Sequence, residues 1–227
     1  IIIDQFKMHK SHCEKLLGIK IDHNLSFEEH VSTLCDKAAQ KLHALSRIAH
    51  FMTQPQRRSI MKAFINSHFG YCPLVWIFHS RKLNHRINSI HERALPLVYN
   101  DYCSSFQTLL VKDNSVSIHI RNIQALALEL FKVSKGLSTE IMGLIFPLRE
   151  SLMYPRMNLF QTRNIRTVRY GTCSLSYIGP KIWAILPDEL KGLTSLKAFK
   201  EKIKTWNPSN CPCKLCVPYI ANLGYLN

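Results

Sequence analysis

Apolar residues recur every three or four positions through most of this chain, and that spacing commits it to helices packed on helices. Val31, Leu34, Ala38, Leu42, Leu45 and Ile48 trace one face of a first long helix, about Phe27 to Ala49, with Ser26 and Glu29 at capping-box spacing. Thr53 and Gln56 repeat that box with Pro55 in the first turn, opening a second helix with Ile60, Phe64, Ile65 and His68 on a shared face. "CPLVWIF" (Cys72 to Phe78) reads as a buried connector or the end of that helix. A third helix takes Ser80 as its cap and turns Leu83, Ile87, Ile90, Ala94 and Leu97 inward. A short helix near Phe106 to Lys112 follows. A longer one, about Val116 to Lys135, carries Ile123, Leu126, Leu130 and Val133 and stops at Gly136; Thr139 to Phe146 ends at Pro147.

The two ends read differently. In residues 1–25, "KLLGIKID" (Lys15 to Asp22) and the turn "HNLS" predict a hairpin with a strand at Ile1 to Ile3. From Leu148 to Asn164 the periodicity fades, and Pro155, Asn158 and Asn164 indicate a linker. Ile165 to Tyr177 reads as two short strands about Gly171, Gly179 to Pro187 as a helical turn with Pro180 first, and Ser195 to Trp206 as a last helix. The expected architecture is mainly α: a helical bundle over 26–147 after a β hairpin at 1–25, a small α+β part at 148–206 and a Cys-rich tail at 207–227.

Charge narrows the partners. With 30 Lys and Arg against 15 Asp and Glu, the formal charge is +15, which favours polyanions, nucleic acid ahead of anionic membrane. No apolar run approaches the roughly 18 residues a membrane span requires. Ile1 to Ile3 runs at once into Asp4 and Lys7, unlike a secretory leader, so an intracellular, non-secreted protein is expected; with no Met at position 1, a fragment is expected. Lys82, Arg86 and Arg93 fall on an outer stripe of the third helix, with Arg81 beside them. Lys37 and Lys41 lie outward on the first helix, Arg57, Arg58 and Lys62 on the second. Such rows suit a phosphate backbone; a solvated face is the alternative.

Several chemistries lack their residues. The aspartates (4, 22, 36, 101, 113 and 188) include no adjacent pair and no Asp-x-Asp, so no two-metal nucleotidyl-transfer site is signalled. There is no Gly-x-Ser-x-Gly and no Gly-rich phosphate loop. His79, His85 and His91 share no ligand face and read as surface or hydrogen-bonding residues. Cys13, Cys35, Cys72, Cys103 and Cys173, scattered singly, read as reduced core thiols. "CPCKLC" differs: Cys211, Cys213 and Cys216 place three thiolates within six residues, fit to wrap one side of a tetrahedral zinc. No His follows His119, so a local zinc knuckle cannot close; the fourth ligand is a remote group such as Cys173, the site is open or shared, or the thiols stay metal-free.

The blocks "KLLGIKIDHNLSFEEHVSTLCDKAAQKLHALSRI", "YCPLVWIFHSRKLNHRINSIHERAL", "KDNSVSIHIRNIQALALELFKV", "SYIGPKIWAILPDELK" and "NCPCKLCVPYI", in this order, resemble the region after the palm in non-LTR, LINE-type, jockey-like retrotransposon reverse transcriptases. The resemblance implies that residues 1–25 end the palm and that 26–147 form a thumb-like bundle and connection gripping template and primer, RNA or an RNA/DNA hybrid. The catalytic aspartates with their Mg and the endonuclease would lie upstream, as partner domains of the parent polyprotein, leaving this chain inactive by itself. Ala94 stands where the family usually has Cys, Pro96 falls within what should remain helix, where an interior proline kinks or costs roughly 3 kcal/mol, and "YPRMNLF" (Tyr154 to Phe160) departs from the family pattern. Two other readings stay open: a domesticated stand-alone nucleic-acid-binding module, and a zinc-dependent protein-interaction module.

Overall fold

Two residues in left-handed backbone shape the beginning of the chain. In the computed structural model, which describes residues 2–3, 6–7, 11–149, 159–167, 171–213 and 215, strand β1 (Ile2–Ile3) pairs antiparallel with β2 (Phe6–Lys7). A second hairpin joins β3 (Cys13–Leu16) to β4 (Ile19–Asp22) in the register Leu16 with Ile19 and Cys13 with Asp22. Leu17 (φ 48°) and Gly18 (φ 86°) form the turn, and positive φ at both central positions matches the right-handed twist of the strands. "KLLGIKID" therefore folds on itself instead of pairing with Ile1 to Ile3.

Asp22 then sets the entry to α1 (Glu28–Ile48). Its carboxylate accepts from the amides of Asn24 (3.0 Å), Ser26 (3.1 Å) and Phe27 (2.7 Å) and from Ser26 Oγ (3.1 Å). Partial burial pushes the carboxyl pKa up, but these donors outweigh it and hold it below the ordinary value. The capping box predicted from Ser26 and Glu29 does not form: Phe27 occupies the cap position, and Glu29 accepts from Lys20 Nζ at 2.7 Å. At α2 (Gln54–Ile60), by contrast, Thr53 N donates to Gln56 Oε1 at 2.9 Å, as its box requires. The chain continues through a π turn (Met61–Ile65) and a 3-10 turn (Asn66–Phe69). The wider π turn rotates the inner face, so that Met61, Ile65 and Phe69 are buried while Phe64 is 55% exposed.

After α3 (Pro73–Trp76), Ser80 Oγ accepts from Leu83 N and opens α4 (Arg81–Tyr99). Pro96 does not break this helix. It lies in the final turn, and its carbonyl still accepts from Asn100 N and Asp101 N, with Asn100 in left-handed backbone as the stop. Ser105 and Ser117 cap α5 (Phe106–Lys112) and α6 (Ile118–Ser134).

The core has two parts. Val31, Leu42, Leu45, Met61, Trp76, Ile87, Leu95, Leu109 and Ile118 belong to one; Ile123, Leu126, Leu130 and Phe131 belong to the other, with Phe160, Ile182, Trp183 and Phe199. Helix α6 thus contributes to both, and the packing division runs through it rather than at Leu148 to Asn164, of which 150–158 lies outside the described residues.

Among the described residues the C-terminal part is mainly helical where α+β was expected: after α7 (Glu140–Ile145) come α8 (Leu175–Ile185), α9 (Asp188–Lys191) and α10 (Leu196–Lys202) with a 3-10 turn (Ile203–Thr205). The β structure described there is a single bridge, Leu148 with Phe160. The described residues of Ile165 to Tyr177 do not form the two predicted strands: 165–167 and 172–174 are turn or irregular, residues 168–170 are outside the described set, and Leu175 already opens α8. The helical turn predicted over Gly179 to Pro187 is there but starts earlier, with Pro180 inside the helix, because Ile178, Ile182, Trp183 and Leu186 recur at helical spacing and bury. Phe131 stacks on Phe199 at 4.1 Å, and Phe160 meets Trp183 edge-on at 5.2 Å.

Candidate metal centre and nucleic-acid interface

Helix α6 is the most apolar of the long helices, yet its first two turns bury His119, Asn122 and Gln124. Gln124 Nε2 donates to the carbonyls of Lys204 (3.2 Å) and Trp206 (2.7 Å), which halts the last 3-10 turn beside α6. A turn at Ser209 and Asn210 follows. Cys211 and Cys213 arrive at His119, whose Nε2 lies 3.8 Å from Cys211 Sγ and 3.3 Å from Cys213 Sγ.

All three side chains are buried, and their ligand atoms fall within 4.8 Å of one another, close enough to hold a metal ion. A tetrahedral zinc with its usual Zn–N and Zn–S bonds would separate a nitrogen and a sulfur ligand by about 3.6 Å, between the two observed distances. His119, named above only as the last histidine in the chain, is therefore part of the cluster. Cys173 lines a small cavity of about 20 Å³ together with His79, His119 and Cys213; Cys216 is outside the described residues. His79 is buried, contacting Trp76 O at 3.0 Å and Asn84 Oδ1 at 3.2 Å, and burial lowers its pKa.

The remaining cysteines and histidines correct other expectations. Cys35 is buried, and burial pushes its thiol up to about 11, while Cys72 and Cys103 are exposed and are not core thiols. His91 is 1% exposed, and neither ring nitrogen has a hydrogen-bond partner among the described residues, so it is a core residue rather than a surface or hydrogen-bonding one.

The predicted cationic positions divide into two groups. Three arginines are taken up by the fold itself. Arg58 Nε lies 2.6 Å from Oδ1 of buried Asp113, which also accepts from Tyr99 Oη at 2.9 Å; Arg57 Nη1 donates to Leu97 O at 3.0 Å. Arg86 reaches across from α4 to Ser32 Oγ and Asp36 Oδ1 on α1, both at 2.7 Å. Interior and interhelical acceptors claim these guanidinium groups before a phosphate can.

Lys37, Lys41, Lys62, Arg81, Lys82 and Arg93 are exposed. Lys37 and Lys41 approach His68, adding to burial in holding that imidazole below its ordinary value. Their flank of α1 is not the one Asp36 turns to Arg86, since successive helical residues are about 100° apart. Of the basic outer faces expected on three helices, Arg57, Arg58 and Arg86 are thus engaged by the fold, while Lys37, Lys41, Lys62, Arg81, Lys82 and Arg93 stay exposed.

Lys62 lines a groove of about 500 Å³ with Asn66, Arg121 and Lys204. Neither Arg121 nor Lys204 was predicted. The available signal for Arg121, as for His119, was a polar residue within the first turns of an otherwise apolar helix. A somewhat larger cleft, about 580 Å³ between the Asn24–Glu28 turn, Leu74–Ser80 and Cys173–Leu175, has no Lys or Arg among its described lining residues.

Together these features define a class: a mainly helical, strongly basic module whose tail returns to its central helix at a buried His/Cys set able to hold a metal. No family model, curated protein or solved structure matches the chain. Among the described residues, no helix is long and apolar enough to cross a membrane.

Proposed function

We propose that this chain is the post-palm, thumb-like region of a LINE-type reverse transcriptase, and that it holds RNA or an RNA/DNA hybrid through sequence-independent phosphate contacts. The observation that carries the reading is the division of the cations: Lys37, Lys41, Lys62, Lys82 and Arg93 are exposed and form no ion pair with any described residue, while the committed arginines are held elsewhere. Free, helix-mounted cations neutralise backbone phosphates whatever the base sequence. Polymerisation belongs to the palm and its Mg, with the endonuclease a further upstream partner.

In the same reading zinc occupies the C-terminal cluster, held by His119, Cys211, Cys213 and Cys216. Two or three thiolates with one imidazole select zinc over hard cations, and the buried setting suits a structural ion that closes the tail onto α6. A cluster turned inward in this way pins the chain to itself, which favours this arrangement over a zinc-dependent protein-interaction module.

The test is fluorescence anisotropy of a labelled RNA/DNA hybrid titrated with zinc-loaded protein at several salt concentrations. With about four phosphates neutralised, log affinity is expected to fall against log salt with a slope near −3 to −4. Absence of binding, or a slope near zero, would reject the reading.

A further inference from the structure

Arg121 lies near the start of α6, and its guanidinium turns inward. Burial holds its pKa below the ordinary value, and neither Nε nor Nη2 has a hydrogen-bond partner among the described residues. A buried guanidinium with unmade N–H bonds is an unfavourable arrangement unless an anion completes it. The surroundings are open on one side: Arg121 lines the groove of about 500 Å³ with Lys62 and Lys204 as its other cations.

The one acid in that wall, Asp113, is already matched by Arg58 at 2.6 Å and does not bond Arg121, although its Oδ2 has no partner. Asn66 also lines the groove, and its buried Oδ1 is unpartnered. Turning that amide end for end would place an N–H₂ donor at the same spot. Among its described lining residues the groove therefore gathers three cations and one amide against a single carboxylate, Asp113, whose Oδ1 is taken by Arg58.

We propose that this groove is an oxyanion site that takes one phosphodiester of the bound nucleic acid, with the half-buried Arg121 side chain turning outward to donate two hydrogen bonds to the phosphate and Lys62 and Lys204 closing over it. A planar guanidinium fits two phosphate oxygens at once, and the lysines supply point charges without fixed geometry. The site rests on the nucleic-acid reading above and locates one of its contacts, at a residue outside the exposed basic stripes.

Four proteins test it: the full chain, Arg121→Met, Arg121→Lys, and the rim double variant Lys62→Gln/Lys204→Gln. Both rim lysines are exposed, so the double variant should keep the wild-type melting midpoint and remains informative even if Arg121→Met misfolds. The rim variant is expected to bind the hybrid about tenfold more weakly at moderate salt, with a log–log slope shallower by about one; Arg121→Met should be shallower by up to about one as well, with Arg121→Lys partly restoring binding. If wild-type protein shows its steep slope and all variants retain both affinity and slope, the groove assignment falls and the nucleic-acid reading stands. A wild-type slope near zero ends both. Inorganic phosphate, compared with chloride at equal ionic strength, identifies the occupant. If it raises the melting midpoint of wild type and not of Arg121→Met, while hybrid binding is equal in the two proteins, the site takes free phosphate and the phosphodiester assignment is overturned.

Discussion

Asp113 keeps only 1% of its surface exposed, and a carboxylate so placed depends on Arg58 and Tyr99 for its charge. Burial pushes its pKa up, yet the hydrogen bonds and charge of these partners bring the net value below the ordinary carboxyl range. Arg58→Met removes the cation and strands the acid. Because the Arg58 side chain is 36% exposed and shares its charge with water, the low end of the buried-pair range applies, about 3 kcal/mol of lost stability in urea unfolding. A loss below about 1 kcal/mol would mean that Asp113 is neutral in the fold. His91 provides a pH test. Burial first, and then the charge of Arg121, press its pKa down to about 4 from the ordinary 6.5. The folded value lies below the unfolded one, so the stabilising contribution is fully present above pH 6.5 and is lost as pH falls towards 4. Wild type should lose on the order of 3 kcal/mol more than His91→Phe between pH 7 and pH 4 in denaturant unfolding at each pH. Equal losses in the two proteins would show that the imidazole is already charged.

At the scale of elements, the contact of α8 with α6 depends on a residue with no side chain. A Cβ added at Gly179 would collide with Phe146 Cε1, would lie 2.8 Å from Phe146 Cδ1, and would press on Leu130 of α6 at 3.3 Å. Gly179→Ala is therefore predicted to destabilise the C-terminal core by about 1–3 kcal/mol, read as a lower melting midpoint; an unchanged midpoint would show that Phe146 has room to move. Elements with local signals were legible in the sequence: Ser80 capping α4 and Gly136 closing α6 are decided within one turn of chain. Helix α8 was legible only in part: the helical turn expected from Gly179 is there, but its start at Leu175 was read as strand, because the alternation around Gly171 points locally away from helix, while the burial of Ile178, Ile182 and Trp183 decides for it. The π turn at Met61–Ile65 likewise has no local sign and turns Phe64 outward.

For the whole molecule, the decisive contacts are long-range. Cys211 and Cys213 announced themselves by spacing, whereas His119 joins them from 92 and 94 residues away, and the loss of Arg58 to Asp113 spans 55; one-dimensional reading found the thiolates and not the imidazole, and counted Arg58 among the free cations. A metal closing so long a loop restrains the unfolded chain strongly. Purified protein is expected to carry one zinc per chain by elemental analysis, with chelation lowering the melting midpoint and His119→Ala abolishing both the zinc and the chelator effect. Protein lacking stoichiometric zinc would rule the metal out. The claim that unites these observations is that cations left over from folding hold a nucleic-acid backbone. Its most direct test replaces Lys37, Lys41, Lys62 and Arg93 with Gln and compares the salt dependence of hybrid binding with wild type. The account predicts an unchanged melting midpoint and a slope that flattens from near −3 to −4 to about −1 or less steep. A steep slope that survives the quadruple substitution would contradict it.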